Sequence, residues 1–287
     1  MNASASYVHE TVRSSGKTTM GTKALVSFLA LTFGLSWVPM SLFLMFAHQF
    51  TALFGEMSAT NPVFLLAVYA PGISGIFLVW RHYGLKGVGS FFRRLTLWRA
   101  PIQWWLFLLL GIPVIIYAAA AIKGTITEPF HFAPWYLVFP ALIQSLLLGP
   151  MGEEFGWRGL ALPLLQRRFA PFWASLILGV VWALWHAPAF AMSGTPQSAW
   201  SFGPFFLGLI AITVIMTPLF NASRGSLLIA ILYHLNIMNP IFPDAQPWDS
   251  FLLAIAAAVI VIVNRRQMFQ RGDGVTDVLM SEDRSVR

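Results

Sequence analysis

The feature that most limits this chain is a series of eight apolar runs. They lie near 24–46, 62–80, 102–122, 135–166, 172–190, 203–219, 226–242 and 248–264. Each approaches the roughly 20 residues a helix needs to cross the hydrocarbon of a bilayer. In lipid the backbone must satisfy its own hydrogen bonds, so runs of this length read as helices. The sequence therefore predicts an all-α, polytopic membrane protein of about eight transmembrane helices. Charged residues make up only 10% of it, against about 25% in a soluble domain. Cysteine is absent, which excludes a disulfide framework, a cysteine-based zinc site and a thiol nucleophile.

Two runs are irregular. The fourth contains Pro140, Pro150, Pro163 and the pair Glu153–Glu154; the seventh is interrupted by Asn236, Asn239 and Pro240. Such interruptions survive at membrane depth only where protein or a watery cavity surrounds them, so an intramembrane polar cavity is expected. The membrane domain is read as 24–265, between polar cytosolic tails at 1–23 and 266–287, the second expected to be disordered. The first run is too long for a signal-peptide core and no small-x-small cleavage site follows it, so it is read as a retained span.

The net charge of +7 raises the question of nucleic acid. With the N-terminus in the cytosol, 17 of the 18 basic residues fall on the cytosolic side, and Lys123 is the exception. Positive charge spread over several inside loops is a topology signal, so no nucleic-acid partner is expected. Both termini are read as cytosolic, in a multi-pass protein of the cell (inner) membrane. The stretch 81–101 mixes basic residues with Phe, Leu and Trp. It fits a helix on the cytosolic membrane face or a plain connecting loop.

The chemistry concentrates in "GPMGEEFGWRG". An ionisable residue inside a span costs about 2.5–3.5 kcal/mol on insertion scales, so three together need a reason. Glu154 and Arg158 stand at i and i+4, facing each other on a helix. Glu153 points about 100° away and lacks that partner. A buried carboxylate without a cation is the better proton acceptor near neutral pH. Counting from the turn at 166–171, Glu153 and His186 lie at similar depth, about 20 Å above it at 1.5 Å per residue. His234 enters from the same side on the seventh run. Such a trio suits water activation and oxyanion stabilisation. It equally suits a catalytic zinc ion held by Glu153, His186 and His234, and spacing does not choose between the two.

These residues resemble the motifs of the CAAX protease and bacteriocin-processing (CPBP, or Abi) family. "EEFGWR" resembles its E-E-x-x-x-R motif. "WALWH", Trp182 to His186, resembles its aromatic-x-x-x-His motif, with Trp where Phe is frequent. "SLLIAILYH", ending at His234, resembles the approach to its His-x-x-x-Asn motif. Four residues after His234 stands Met238, and Asn239 comes one residue late. The resemblance implies an intramembrane endopeptidase acting on membrane-associated protein or peptide substrates, similar to type II CAAX prenyl endopeptidases. Glu153 would activate water, His186 would assist or coordinate a divalent metal such as zinc, and His234 would help to stabilise the oxyanion. Glu154 and Arg158 would hold the helix geometry, and Asn239 would stand in for the missing Asn if the helix unwinds before Pro240.

Two other readings compete. "GISG", Gly72 to Gly75, fits a G-x-S-G serine-protease pattern with Ser74 as nucleophile, although small residues in a membrane helix ordinarily permit close packing. The second is a non-catalytic protein of the same fold, an immunity factor or small-solute binder or transporter, whose polar trio lines a binding cavity.

Overall fold

The computed structural model describes residues 20–130 and 132–280; His9, Arg13, Lys17, His131, Arg284 and Arg287 lie outside them, as does nearly all of the N-terminal tail. Among the described residues the regular structure is all helical. The helices longer than one turn are α1 (Thr22–Met45), α2 (Ala47–Phe54), α3 (Pro62–Phe92), α4 (Ile102–Lys123), α5 (Val138–Leu147), α6 (150–166), α7 (Pro171–Trp185), α8 (Phe202–Ala222), α9 (Leu227–Ile237), α10 (Trp248–Val263) and α11 (Arg265–Phe269), with a single helical turn at Ala187–Phe190 after α7. Six helical segments are long and apolar enough to cross a membrane, and two apolar ones, α9 and α10, are shorter. The chain is a polytopic membrane protein.

Helix α9 stops at Ile237, before the 242 expected for this run. The residue before a proline is pushed out of the helical region, and Asn239–Pro240 ends the helix there. The stretch 81–101 divides. Helix α3 continues past the expected 80 to Phe92, broken at Gly84 by a left-handed φ of 67°, and a 3₁₀ turn, Arg93–Thr96, follows. Most of it is therefore helix rather than loop.

Proline also shapes the interior. The helix α6 widens into a π turn at Trp157–Ala161, just before Pro163. Proline has no N–H to give the carbonyl four residues back, here that of Gly159. The buried Arg94 donates to that carbonyl instead (2.8 Å), and to those of Gly225 (2.9 Å) and Val278 (3.0 Å). The same pairing of a π turn with a proline occurs in α4, at Phe107–Gly111 before Pro113.

The helix α8 runs through the middle, packed against α7 and α10, while α6 lies between α3 and α9. The contact of α3 with α6 is made by glycines. A Cβ on Gly152 would come to 2.8 Å from the Val68 carbonyl oxygen, and one on Gly156 to 2.3 Å from that of Pro71. Small residues let membrane helices approach closely, and here they seat the helix that carries Glu153 and Glu154.

The expectation of a disordered C-terminal tail is corrected for its described part. Residues 270–280 fold back over one end of the bundle. Val275 donates its N–H to Asn221 Oδ1 (3.0 Å) and accepts from Gln166 Nε2 (2.9 Å). Arg167 Nε donates to the Thr276 carbonyl (2.8 Å), Ser90 Oγ to that of Met280 (3.0 Å), and Val278 is buried. Backbone groups that composition alone leaves to water are held by side chains from three helix ends, those of α3, α6 and α8. Arg167 also donates to the Met20 carbonyl, so the start of α1 meets this same end.

Candidate active site

Helix α6 begins at Pro150, after a break at Leu148–Gly149 that separates it from α5. Proline suits a first helical turn, where its missing N–H has no intrahelical partner to lose. The break places Glu153 and Glu154 in the first two turns of a short buried helix. Although adjacent, they meet different neighbours.

Glu154 is fully buried. Its Oε1 accepts from Arg158 NH1 (3.0 Å) and from His234 Nδ1 (2.8 Å). Arg158 is itself buried, donates from NH2 to Thr213 Oγ1 (3.3 Å) and lies over the Trp182 ring, 4.3 Å from its centroid. A cation over an aromatic face is attracted by the ring quadrupole, so Trp182 forms the second wall around this guanidinium.

Glu153 turns to a cavity. Its Oε2 accepts from the Trp182 indole Nε1 (2.6 Å), which is the one side-chain hydrogen bond it makes among the described residues and leaves Oε1 to the cavity; in Glu154 it is the buried Oε2 that lacks a partner. The cavity, about 340 Å³, is lined by Glu153, His186 and His234, by apolar groups such as Phe64, Trp200 and Phe205, and by further polar groups including Gln197, Asp244 and Asp249. His186 Nδ1 lies 2.8 Å from the Trp182 carbonyl oxygen. A carbonyl can only accept, so Nδ1 carries the proton and Nε2 is left free. His234 is oriented in the same sense by the Glu154 carboxylate.

The structure thus brings Glu153, His186 and His234 to one cavity wall, and Glu154 with Arg158 directly behind it. Asn239 is on the cavity too, but its Oδ1 accepts from the Ile241 N–H (3.1 Å) and shapes the loop. Asn236 points away and donates to the Leu108 carbonyl (2.5 Å). Met238 lines the cavity, and its sulfur would lie 2.6 Å from a Cβ on Gly149. Ser74 is buried in α3 with an unpartnered Oγ, and among the described residues no histidine is bonded to it, which speaks against the serine-nucleophile reading. Arg158, counted by the sequence among the cytosolic charges, is instead sealed inside the protein. Among the described residues no three His, Cys, Asp or Glu side chains stand close enough to hold a metal ion together.

Sequence reasoning missed the link of His234 to Glu154 and the two contacts Trp182 makes with the glutamate and arginine. The first joins residues 80 apart in the chain, and no local spacing encodes it. The second had a signal, the Trp standing four residues before His186 where the resembled motif has Phe.

Comparison with known proteins finds similarity over the segment that carries these residues. Residues 133–238 match the family model described as type II CAAX prenyl endopeptidase, Rce1-like. Over 181 residues the chain is 29% identical to "CAAX prenyl protease 2" of Methanococcus maripaludis, a match that covers 58% of this chain and 66% of the relative. The chain thus spans just under two thirds of that relative's length. The matched segment contains α6 with both glutamates, His186 and His234, and over it the chain is similar to the Rce1-like type II CAAX prenyl endopeptidases.

Proposed function

We propose that this protein is an intramembrane endopeptidase that hydrolyses peptide bonds of membrane-associated proteins or peptides, with prenylated C-a-a-X termini as the first substrate class to test. The observation that carries the reading is Glu153. One of its oxygens is held by Trp182 and the other is left to the cavity. In such a place Oε1 takes a proton from water as the water oxygen bonds to the scissile carbonyl carbon. The same carboxyl group then returns the proton to the leaving amine as the carbon–nitrogen bond breaks. His234, with Nδ1–H given to Glu154, donates from Nε2 in its imidazolium form to the oxyanion. His186 presents Nε2 to the attacking water. Glu154 and Arg158 keep His234 in place and are not consumed.

The glutamate mechanism is preferred to a metal one because the three candidate ligands do not converge on one point. Activity is accordingly expected to survive a strong chelator. Loss of activity with the chelator, and its return with zinc, would reverse the preference. The basic residues Arg93, Arg94, Arg167 and Arg224 gather at the end of the bundle where Met20 and the C-terminal segment meet. This supports a multi-pass protein of the cell membrane with that end in the cytosol.

Met238, on the cavity wall where the family motif has Asn, favours a second reading: a non-catalytic immunity or solute-binding protein. One experiment separates them. Membrane-protein N- and C-termini are compared in cells expressing wild type or Glu153→Gln at equal levels, alongside release of the terminal tripeptide from a farnesylated C-a-a-X peptide by the purified proteins. New termini that require Glu153 support proteolysis. Identical termini, with any cellular phenotype kept by the variant, support the binding reading.

A further inference from the structure

We propose that Trp182 is the positioning residue of this site, and that its indole N–H selects which oxygen of Glu153 works as the base. This deepens the reading of Glu153 as the base and rests on it. Trp182 meets four polar residues of the centre, Glu153, His186, Arg158 and His234. Its Nε1 donates to Glu153 Oε2 at 2.6 Å and its carbonyl oxygen accepts from His186 Nδ1 at 2.8 Å. Its ring lies under the Arg158 guanidinium at 4.3 Å and meets the edge of His234 at 5.3 Å between centroids. The side chain is buried, and its N–H is engaged on Glu153.

The physical consequence concerns one bond. A free carboxylate can rotate and offer either oxygen, and each wrong orientation takes the base out of reach of the water. A short hydrogen bond from a buried donor removes that rotation. With Oε2 engaged, Oε1 alone is left for the cavity. Phenylalanine at this position would keep the stacking on Arg158 and His234 but would lack the donor. The Trp is therefore a property of this chain's own site. His186 is bound to the backbone of the same residue, so a shift of Trp182 moves the base and its neighbour together.

The test isolates the N–H from the shape. Benzothienylalanine, an indole isostere with sulfur in place of N–H, is placed at position 182 by site-specific incorporation, with fluorotryptophan, which keeps the N–H, as its control. With a farnesylated C-a-a-X peptide, the isostere is expected to lower kcat about 10–100-fold, as loss of an orienting group does, with KM unchanged. The fluorotryptophan enzyme is expected to stay within about twofold of wild type. An independent readout needs no turnover. The carboxyl band of Glu153, isolated as the infrared difference between wild type and Glu153→Gln, should move with the isostere and stay in place with fluorotryptophan. Equal kcat for wild type and isostere, or an unmoved Glu153 band, overturns the positioning role. If Glu153→Gln is inactive while the isostere is fully active, only this inference fails; if Glu153→Gln keeps wild-type activity, the base assignment beneath it fails.

Discussion

Glu153 and Glu154 are neighbours in the chain and belong to different regions of the molecule. Glu154 lies in a sealed layer with Arg158, Thr213 and His234, where its Oε1 serves two nitrogen donors. Glu153 lies one residue away at the edge of a cavity, tied by a single indole N–H. The difference teaches what a buried charge is for in each place. In the sealed layer the opposite charges of Glu154 and Arg158 meet, although Glu154 Oε2 and Arg158 Nε make no hydrogen bond, and the Glu154 carboxylate fixes the position of His234. On the cavity side no cation is bonded to Glu153, and its Oε1 is left to the cavity, where the proposed proton transfer would take place.

The comparison breaks most visibly at Glu153. Glu153→Gln keeps shape and the acceptor for Trp182, so melting in detergent should not change. Cleavage of a farnesylated C-a-a-X peptide should fall by about 10²–10⁴-fold, the range of a lost general base. An active variant would end the distinction between the two glutamates.

Arg158→Ala attacks the other side. It leaves Glu154 buried without its cation, and removing one partner of a buried pair costs about 3–5 kcal/mol. The expected result is a large fall in folded yield and melting temperature, read by size-exclusion chromatography and thermal scanning. A stable Arg158→Ala protein that is merely inactive would move Arg158 from the sealed layer to the chemistry.

A smaller effect is expected between the regions and their support. Gly156→Ala drives a methyl to 2.3 Å from the Pro71 carbonyl oxygen, and overpacking of this kind costs about 1–3 kcal/mol. Helix α6 must shift to relieve it, so activity should fall further than stability. Thermal scanning and peptide cleavage on the same preparation measure both.

The smallest expected effect is at Asn239. Its Oδ1 is spent on the Ile241 N–H, so Asn239→Ala should cost about 1 kcal/mol, the worth of one ordinary hydrogen bond. The rate should change little. A loss of about 10²–10³-fold in kcat, the value of an oxyanion donor, would instead make Asn239 the substitute for the family's Asn at Met238.

Much of this was legible in the chain. Apolar runs marked every membrane helix, because lipid imposes length and hydropathy locally. The i, i+4 spacing of Glu154 and Arg158 was enough to pair them, since a helix alone sets that distance. What was not legible came from contacts across helices. The expectation of a free C-terminal tail came from its polarity, yet Gln166, Arg167 and Asn221 hold its backbone, and a polar segment can be ordered by hydrogen bonds as well as by apolar burial. The end of α9 at Ile237 was placed late because hydropathy continues past a proline where the backbone cannot.

By itself, then, the sequence determined a polytopic helical membrane protein, its candidate acidic and histidine residues, and their approximate common depth, all consequences of periodicity and of the cost of charge in lipid. Only the tertiary structure decided which carboxylate is sealed and which is free. That choice depends on His234 arriving from α9 and Trp182 from α7, and on glycines 152 and 156 letting α6 close on α3. Sequence spacing fixes neighbours along one helix; the partners of a buried charge are fixed by the packing of several.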